Sequence, residues 1–239
     1  MNFNSGNATL GNSFSWSVAN SAPTERAAFI RRTYAHLAGA VLLFIVLEAL
    51  LINSPLALPI VRVMLGGSYS WLIVLGAFMG VSYLANWWAS SESSPAMQYL
   101  GLGLYVVAET VIFLPLLFIA NYQFPGAIQN AGVVTLGLFA ALTAIVFTTR
   151  KDFTFLGPIL AVASFVALGV IVASILFGFN LGTIFAGLMA LFAAGAILYS
   201  TSNVLHQYRP NQHVAASLSL FASVALLFWY ILQLFTSRR

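Results

Sequence analysis

Glu109 lies in the segment LYVVAETVIFLPLLF, with Thr110 beside it and Pro115 six residues on. An ionisable group in so apolar a stretch is costly to bury, and for that reason it marks a functional candidate. Pro115 has no backbone N–H, so it frees a carbonyl one turn earlier and adds local polarity. A carboxyl at this position can bind a cation, relay a proton, or stay protonated in a hydrogen bond. Glu48, in LLFIVLEALLIN, stands towards the end of an earlier apolar run. There it can reach water and pair with Arg62 of the following loop, a structural role. Alternatively, Glu48 and Glu109 share one cavity.

A second polar concentration falls in the last 45 residues or so. An apolar run ends in Ser200, Thr201, Ser202 and Asn203. A short loop follows with His206, Arg209 and His213, and the next apolar run carries Ser217, Ser219 and Ser223. In a membrane these hydroxyls stand where water is scarce and must find partners in the protein. His36, His206 and His213 fall near helix ends without the spacing of a metal site. They read as interfacial residues, with pH sensing at a cytoplasmic gate as the sharper alternative.

Catalytic patterns are missing. The sequence has no Gly-rich phosphate loop, no HExxH and no G-x-S-x-G. Asp152 is the single aspartate, so paired aspartates for intramembrane proteolysis are ruled out, and there is no cysteine for thiol chemistry or disulfides. The expectation is a protein that is not an enzyme and has no metal or other cofactor.

The composition says what must position these groups. Charged residues make up 6% and hydrophobic residues 61%, with a mean hydropathy of +0.95. Nine Lys and Arg with five Asp and Glu cannot cover the surface of a soluble fold of this length. The net charge of +4 does not point to nucleic acid, because the basic residues stand at the ends of apolar runs. Alternating segments of a membrane β-barrel are absent. The class is an all-α polytopic membrane protein.

Seven apolar runs are long enough to span, at about 34–53, 71–89, 99–120, 131–149, 155–177, 181–202 and 214–235. Residues 55–67 are too few to cross and read as an interfacial or re-entrant piece. Residues 1–25, rich in Asn, Ser, Gly and Ala, read as a disordered tail ahead of a transmembrane domain at 26–239. Arg26, Arg31, Arg32, Arg150, Lys151 and Arg209 fall on one side of the bilayer, against Arg62, Arg238 and Arg239 on the other. That bias puts the N-terminus in the cytoplasm and the C-terminus outside. Gly76 and Gly80 form a small-xxx-small pair suited to close packing within the bundle, or alternatively to a dimer interface.

Several motifs in this order resemble the Bax inhibitor-1 family, the transmembrane BAX inhibitor motif proteins with bacterial members. They are TTRKDFTFLG at 148–157, GAILYSTSNVLH at 195–206 and SLSLFASVALLF at 217–228. The opening RRTYAHLAGAVLLFIVLEALL at 31–51 is similar to one bacterial branch. The resemblance implies seven transmembrane helices with the last one central, and for a bacterial member a place in the inner membrane. It also implies one of two activities: a pH-sensitive calcium leak channel, or modulation of a membrane-bound AAA protease. In leak-channel members an acid on the sixth helix pairs with one on the seventh as a pH-dependent latch. The matching positions here are Ser200 and Ser223, with Asn203 and Ser219 as neighbouring polar groups. Two hydroxyls have no charge to switch near neutral pH. The latch therefore does not carry over, and if the protein conducts ions, calcium or protons, with pH control, Glu109 or Glu48 must supply the titration. The rival expectation is a non-transporting protein that binds other membrane proteins.

Overall fold

A computed structural model of the chain describes residues 17–67, 69–91 and 94–237. Among them are eight α-helices and no strand. The helices are α1 (Pro23–Ile52), α2 (Ala57–Leu65), α3 (Ser70–Ala89), α4 (Pro95–Gln123), α5 (Ala127–Thr149), α6 (Leu156–Phe177), α7 (Gly182–His206) and α8 (His213–Thr236). All but α2 are long and apolar enough to cross a membrane, and the chain is an integral membrane protein. Pro23 and Pro95 open α1 and α4, where a missing N–H costs nothing. The Ser94 hydroxyl accepts from the Met97 amide at 3.4 Å and caps α4. Gly178, at φ 72°, closes α6 in the left-handed conformation that suits glycine.

Each apolar run recurs as one helix, but α1 and α4 extend further than hydropathy indicates. The polar turn from Pro23 to Arg32 is helical although it lies outside the apolar part. Hydropathy reports membrane depth, whereas a helix ends where its backbone caps. The short piece at 55–67 becomes α2, nine residues long, with Ala57, Val61 and Met64 buried and Arg62 exposed.

The expected disordered tail needs a correction over its last part. Residues 1–16 lie outside the described residues, but the chain is folded from Ser17 onward. Val18–Asn20 form a 3-10 turn, and Val18 is buried with its N–H donating to the Tyr208 carbonyl at 2.9 Å. The Arg26 guanidinium donates to the Val18 and Ala19 carbonyls. One apolar side chain and one cation anchor a segment that its composition marks as polar.

α8 is the central helix. It packs on α7, α1, α5, α4 and α3, and it is far more deeply buried than α6. Its small residues Ala215, Ala216, Ser217, Ser223 and Ala225 are buried and let the neighbouring helices approach closely. α6 packs chiefly on α7 and stands at the periphery.

The small-residue seam is not where the sequence suggested. Gly76 and Gly80 have nothing within 4 Å of an added Cβ, so their face does not pack within the bundle. The close approach is between α3 and α4, where Gly101 lies against the backbone of Ala85 and Ala89. Ala85 and Ala89 are themselves a small-xxx-small pair, and both are buried. Alanines served this seam and were overlooked because glycine is the stronger signal.

Candidate cation site and its cavity

Glu109 lies midway along α4 and is 6% exposed. Four residues earlier on the same face stands Tyr105, whose hydroxyl is near the carboxyl. Both line a partly open cavity of about 1080 Å³ between α3, α4, α6, α7 and α8. The cavity extends to the α6–α7 turn, with Asn180, and to Gln233 and Thr236 near the end of α8. That rim is at the end of the bundle opposite Arg26, Arg150 and Arg209. Its wall is aromatic: Trp71 stacks on Trp229 at 6.2 Å, and Phe113 meets Trp229 edge-on at 4.9 Å. Glu109 is the one acidic or basic side chain among the described lining residues.

Ser223 also reaches this cavity. Its Oγ lies 3.0 Å from Ser200 Oγ, and Ser200 Oγ lies 3.0 Å from Ser219 Oγ. The Ser223 hydroxyl also bonds with the Ser219 carbonyl at 2.9 Å. The three hydroxyls can satisfy one another without charge. Beyond them, towards the basic end, Tyr208 stands beside Ser219, and burial pushes its phenol pKa up, so the group stays neutral. Asn203 is near this cluster in sequence, but its observed role is at the end of α7. Its backbone carbonyl accepts from the Gln207 and Tyr208 amides at 2.9 and 3.2 Å.

Glu48 is elsewhere. It is 4% exposed, and neither carboxyl oxygen has a hydrogen-bond partner among the described residues. The expected pairing with Arg62 does not form. α2 turns Ala57, Val61 and Met64 inward, and Arg62, next to Val61, is rotated out and exposed. Nor does Glu48 line the cavity that holds Glu109. The edge contact of Phe44 with Phe113, at 5.1 Å, fixes the levels of α1 and α4. Glu48 is one turn beyond Phe44 and Glu109 one turn before Phe113, so they stand about 12 Å apart along the axes.

At the basic end, Ser202 ties the α5–α6 turn to α7. Its hydroxyl accepts from the Phe153 amide at 2.9 Å and donates to Asp152 Oδ1 at 3.2 Å. His206 Nδ1 lies 2.9 Å from the Ser202 carbonyl. Serine, histidine and aspartate thus meet, but the serine is fully buried and lies between the other two, so it has no access to a substrate. The Thr154 amide, bonded to Asp152 Oδ1 at 2.9 Å, is the leading cause holding the Asp152 carboxyl below its ordinary value of 3.8. A depressed folded-state pKa contributes stability that is full above 3.8 and is lost as pH falls through the lower folded value. Ser202→Ala would strand the Phe153 amide, at a cost of about 1–3 kcal/mol read as a lower Tm in detergent. An unchanged Tm would mean that the turn is held by something else.

The histidines also gather at this end, with His36 and His213 rings 5.0 Å apart and His36 Nε2 3.2 Å from the Tyr99 hydroxyl. Among the described residues no group of three His, Cys, Asp or Glu could hold a metal. Sequence reasoning missed Tyr105, although its spacing of four from Glu109 was a readable signal. It also missed the Ser202–Asp152 contact, which joins residues 50 apart and leaves no local pattern.

Comparison with known proteins adds an independent line. A family model described as inhibitor of apoptosis-promoting Bax1 matches residues 26–239. Bax inhibitor 1 of Schizosaccharomyces pombe is 30% identical over 222 residues, covering 91% of this chain and 79% of that protein. The Golgi anti-apoptotic protein of vaccinia virus is 27% identical over 223 residues, covering 91% of this chain and 89% of the viral one. A shorter match, 36% identical over 104 residues, is to the modulator of FtsH protease YccA of Escherichia coli, covering 42% of this chain and 47% of that one.

Proposed function

This chain belongs to the Bax inhibitor-1 family, and from that premise we propose that it is a leak pathway for cations, calcium first, with Glu109 as its principal polar group. The observation that carries the reading is a single carboxyl at mid-span, on the wall of a cavity with no other acid or base among its described lining residues. A cation entering from the α6–α7 rim would pass an aromatic wall and meet Glu109 with the Tyr105 hydroxyl beside it. Beyond Glu109 the way to the basic end runs past Ser223, Ser200 and Ser219, which gate by packing. The protein sits in a bacterial inner membrane with its N-terminus in the cytoplasm, as the six basic residues at that end support.

In liposomes holding a calcium indicator, the reconstituted protein admits calcium faster than protein-free liposomes. No excess flux would end the leak reading. Because Ser200 and Ser223 do not titrate near neutrality, flux stays flat between about pH 6 and pH 8 as far as this pair governs it. The paired change Ser200→Asp with Ser223→Asp installs two carboxyls at hydrogen-bonding distance and makes flux respond to pH over that range. An equally flat double variant would show that this contact does not gate.

A second reading is favoured by the Escherichia coli relative, whose name makes it a modulator of a membrane protease. Here the protein transports nothing and binds a membrane-bound AAA protease through its N-terminal segment. Deleting residues 1–22 would then abolish its effect on the protease's degradation rate.

A further inference from the structure

We propose that the Glu109 cavity is a binding site for a hydrophobic amine, a ligand with a bulky apolar body and one positively charged nitrogen. The inference rests on the placement of Glu109 in the proposed pathway, but it does not require conduction.

Three observations carry it. The first is size: about 1080 Å³ is just above the roughly 300–1,000 Å³ of pockets that hold drug-sized molecules, which leaves room for a bulky body. The second is the wall. Trp71, Phe113, Phe185, Trp229 and Tyr230 line a space whose α6 side offers Ala167, Leu168 and Ile171. Such a lining suits a rigid apolar body and offers ring faces to a cation. The third is charge: Glu109 is the one acidic or basic group among the described lining residues, with no cation to neutralise it. A carboxyl in such surroundings selects against an anionic head and in favour of an ammonium, which can donate to both its oxygens and leave Tyr105 in place.

The route of entry follows from the packing. α3 and α4 form one wall and α6 the opposite one, and α6 packs chiefly on α7. A ligand dissolved in the bilayer can therefore approach between α3 and α6 without crossing the α8 core. Its nitrogen would lie at the depth of Glu109, and its body would point to the rim at Asn180 and Gln233. An amine there occupies the path proposed for calcium, so ligands of this class block the leak.

Three probes with one apolar body and different heads test this: 4-(pyren-1-yl)butylamine, 4-(pyren-1-yl)butanol and 4-(pyren-1-yl)butyrate. Binding to the full chain in micelles is read as saturable quenching of tryptophan emission, since Trp71 and Trp229 line the cavity. The amine is expected to bind about tenfold or more tighter than the butyrate, with the alcohol between them. Glu109→Gln removes that order, and Ala222→Phe, which fills the cavity, weakens all three. Equal affinities for the three heads on the unmodified protein would overturn the proposal and leave the cavity a place for acyl chains. So would an order that survives Glu109→Gln, or binding that ignores Ala222→Phe. If Glu109→Gln does not fold, the comparison of heads and the Ala222→Phe variant still decide. The assay involves no flux: a protein that binds the amine but passes no calcium loses the leak reading and keeps this one.

Discussion

Glu109→Gln is expected to lower calcium flux in liposomes by an order of magnitude or more while leaving the fold intact. The amide is nearly the same shape as the carboxyl and can still meet the Tyr105 hydroxyl, so packing on α4 is preserved. What it cannot do is bear negative charge. A divalent cation that leaves water at mid-span needs an opposite charge, and away from bulk solvent one such group counts for much more than at a surface. No other acid or base among the described lining residues can substitute. Glu48→Gln is the control. Glu48 is as buried as Glu109 but lies outside the cavity, so flux should stay within about twofold. Wild-type flux in Glu109→Gln, or lost flux in Glu48→Gln alone, would move the pathway away from this cavity.

Gly101→Ala is expected to destabilise the protein strongly, because the added methyl group meets the backbone of a neighbouring helix. A Cβ there would lie 2.5 Å from the Ala85 carbonyl oxygen and 2.5 Å from the Ala89 amide nitrogen. Both are backbone atoms of α3, so no side chain can rotate away and the helices must part. Adding volume to a tight core costs about 1–3 kcal/mol even where side chains can adjust, and this site should reach or exceed the upper figure. α3 has few other anchors: its buried residues are Ala85 and Ala89. Thermal melting in detergent, followed by size exclusion, should show a large drop in Tm or loss of the monodisperse species. Gly76→Ala and Gly80→Ala, with nothing within 4 Å, should stay within about 0.5 kcal/mol of the parent or gain helix propensity. A Gly101→Ala protein that melts with the parent would mean that α3 and α4 are not in this register.

Glu109 was legible because it is an exception to its surroundings: an acid in the middle of a long apolar run is visible without any structure. The two serines at the latch positions were legible only through resemblance, and their mutual distance only through the fold. The pairing of Glu48 with Arg62 was misjudged, since Arg62 lies on a helix that turns it outward. The glycine pair misled for a related reason: spacing shows that two small residues share a face, but not what that face meets.

The sequence by itself determined the number of crossings, most of their limits to within a few residues (the start of α1 at Pro23 excepted), the polar depth of Glu109 and the basic bias at the N-terminal end. These depend on run length and on which residues water or lipid will accept, and both are local properties. Only the tertiary structure decided which face of each helix turns inward. In a soluble protein, amphipathic periodicity would have reported that. In a bilayer the outside is as apolar as the inside, so helix rotation leaves almost no trace in the hydrophobic pattern. The cavity beside Glu109, the Ser200–Ser223 contact and the seam at Gly101 all depend on that rotation.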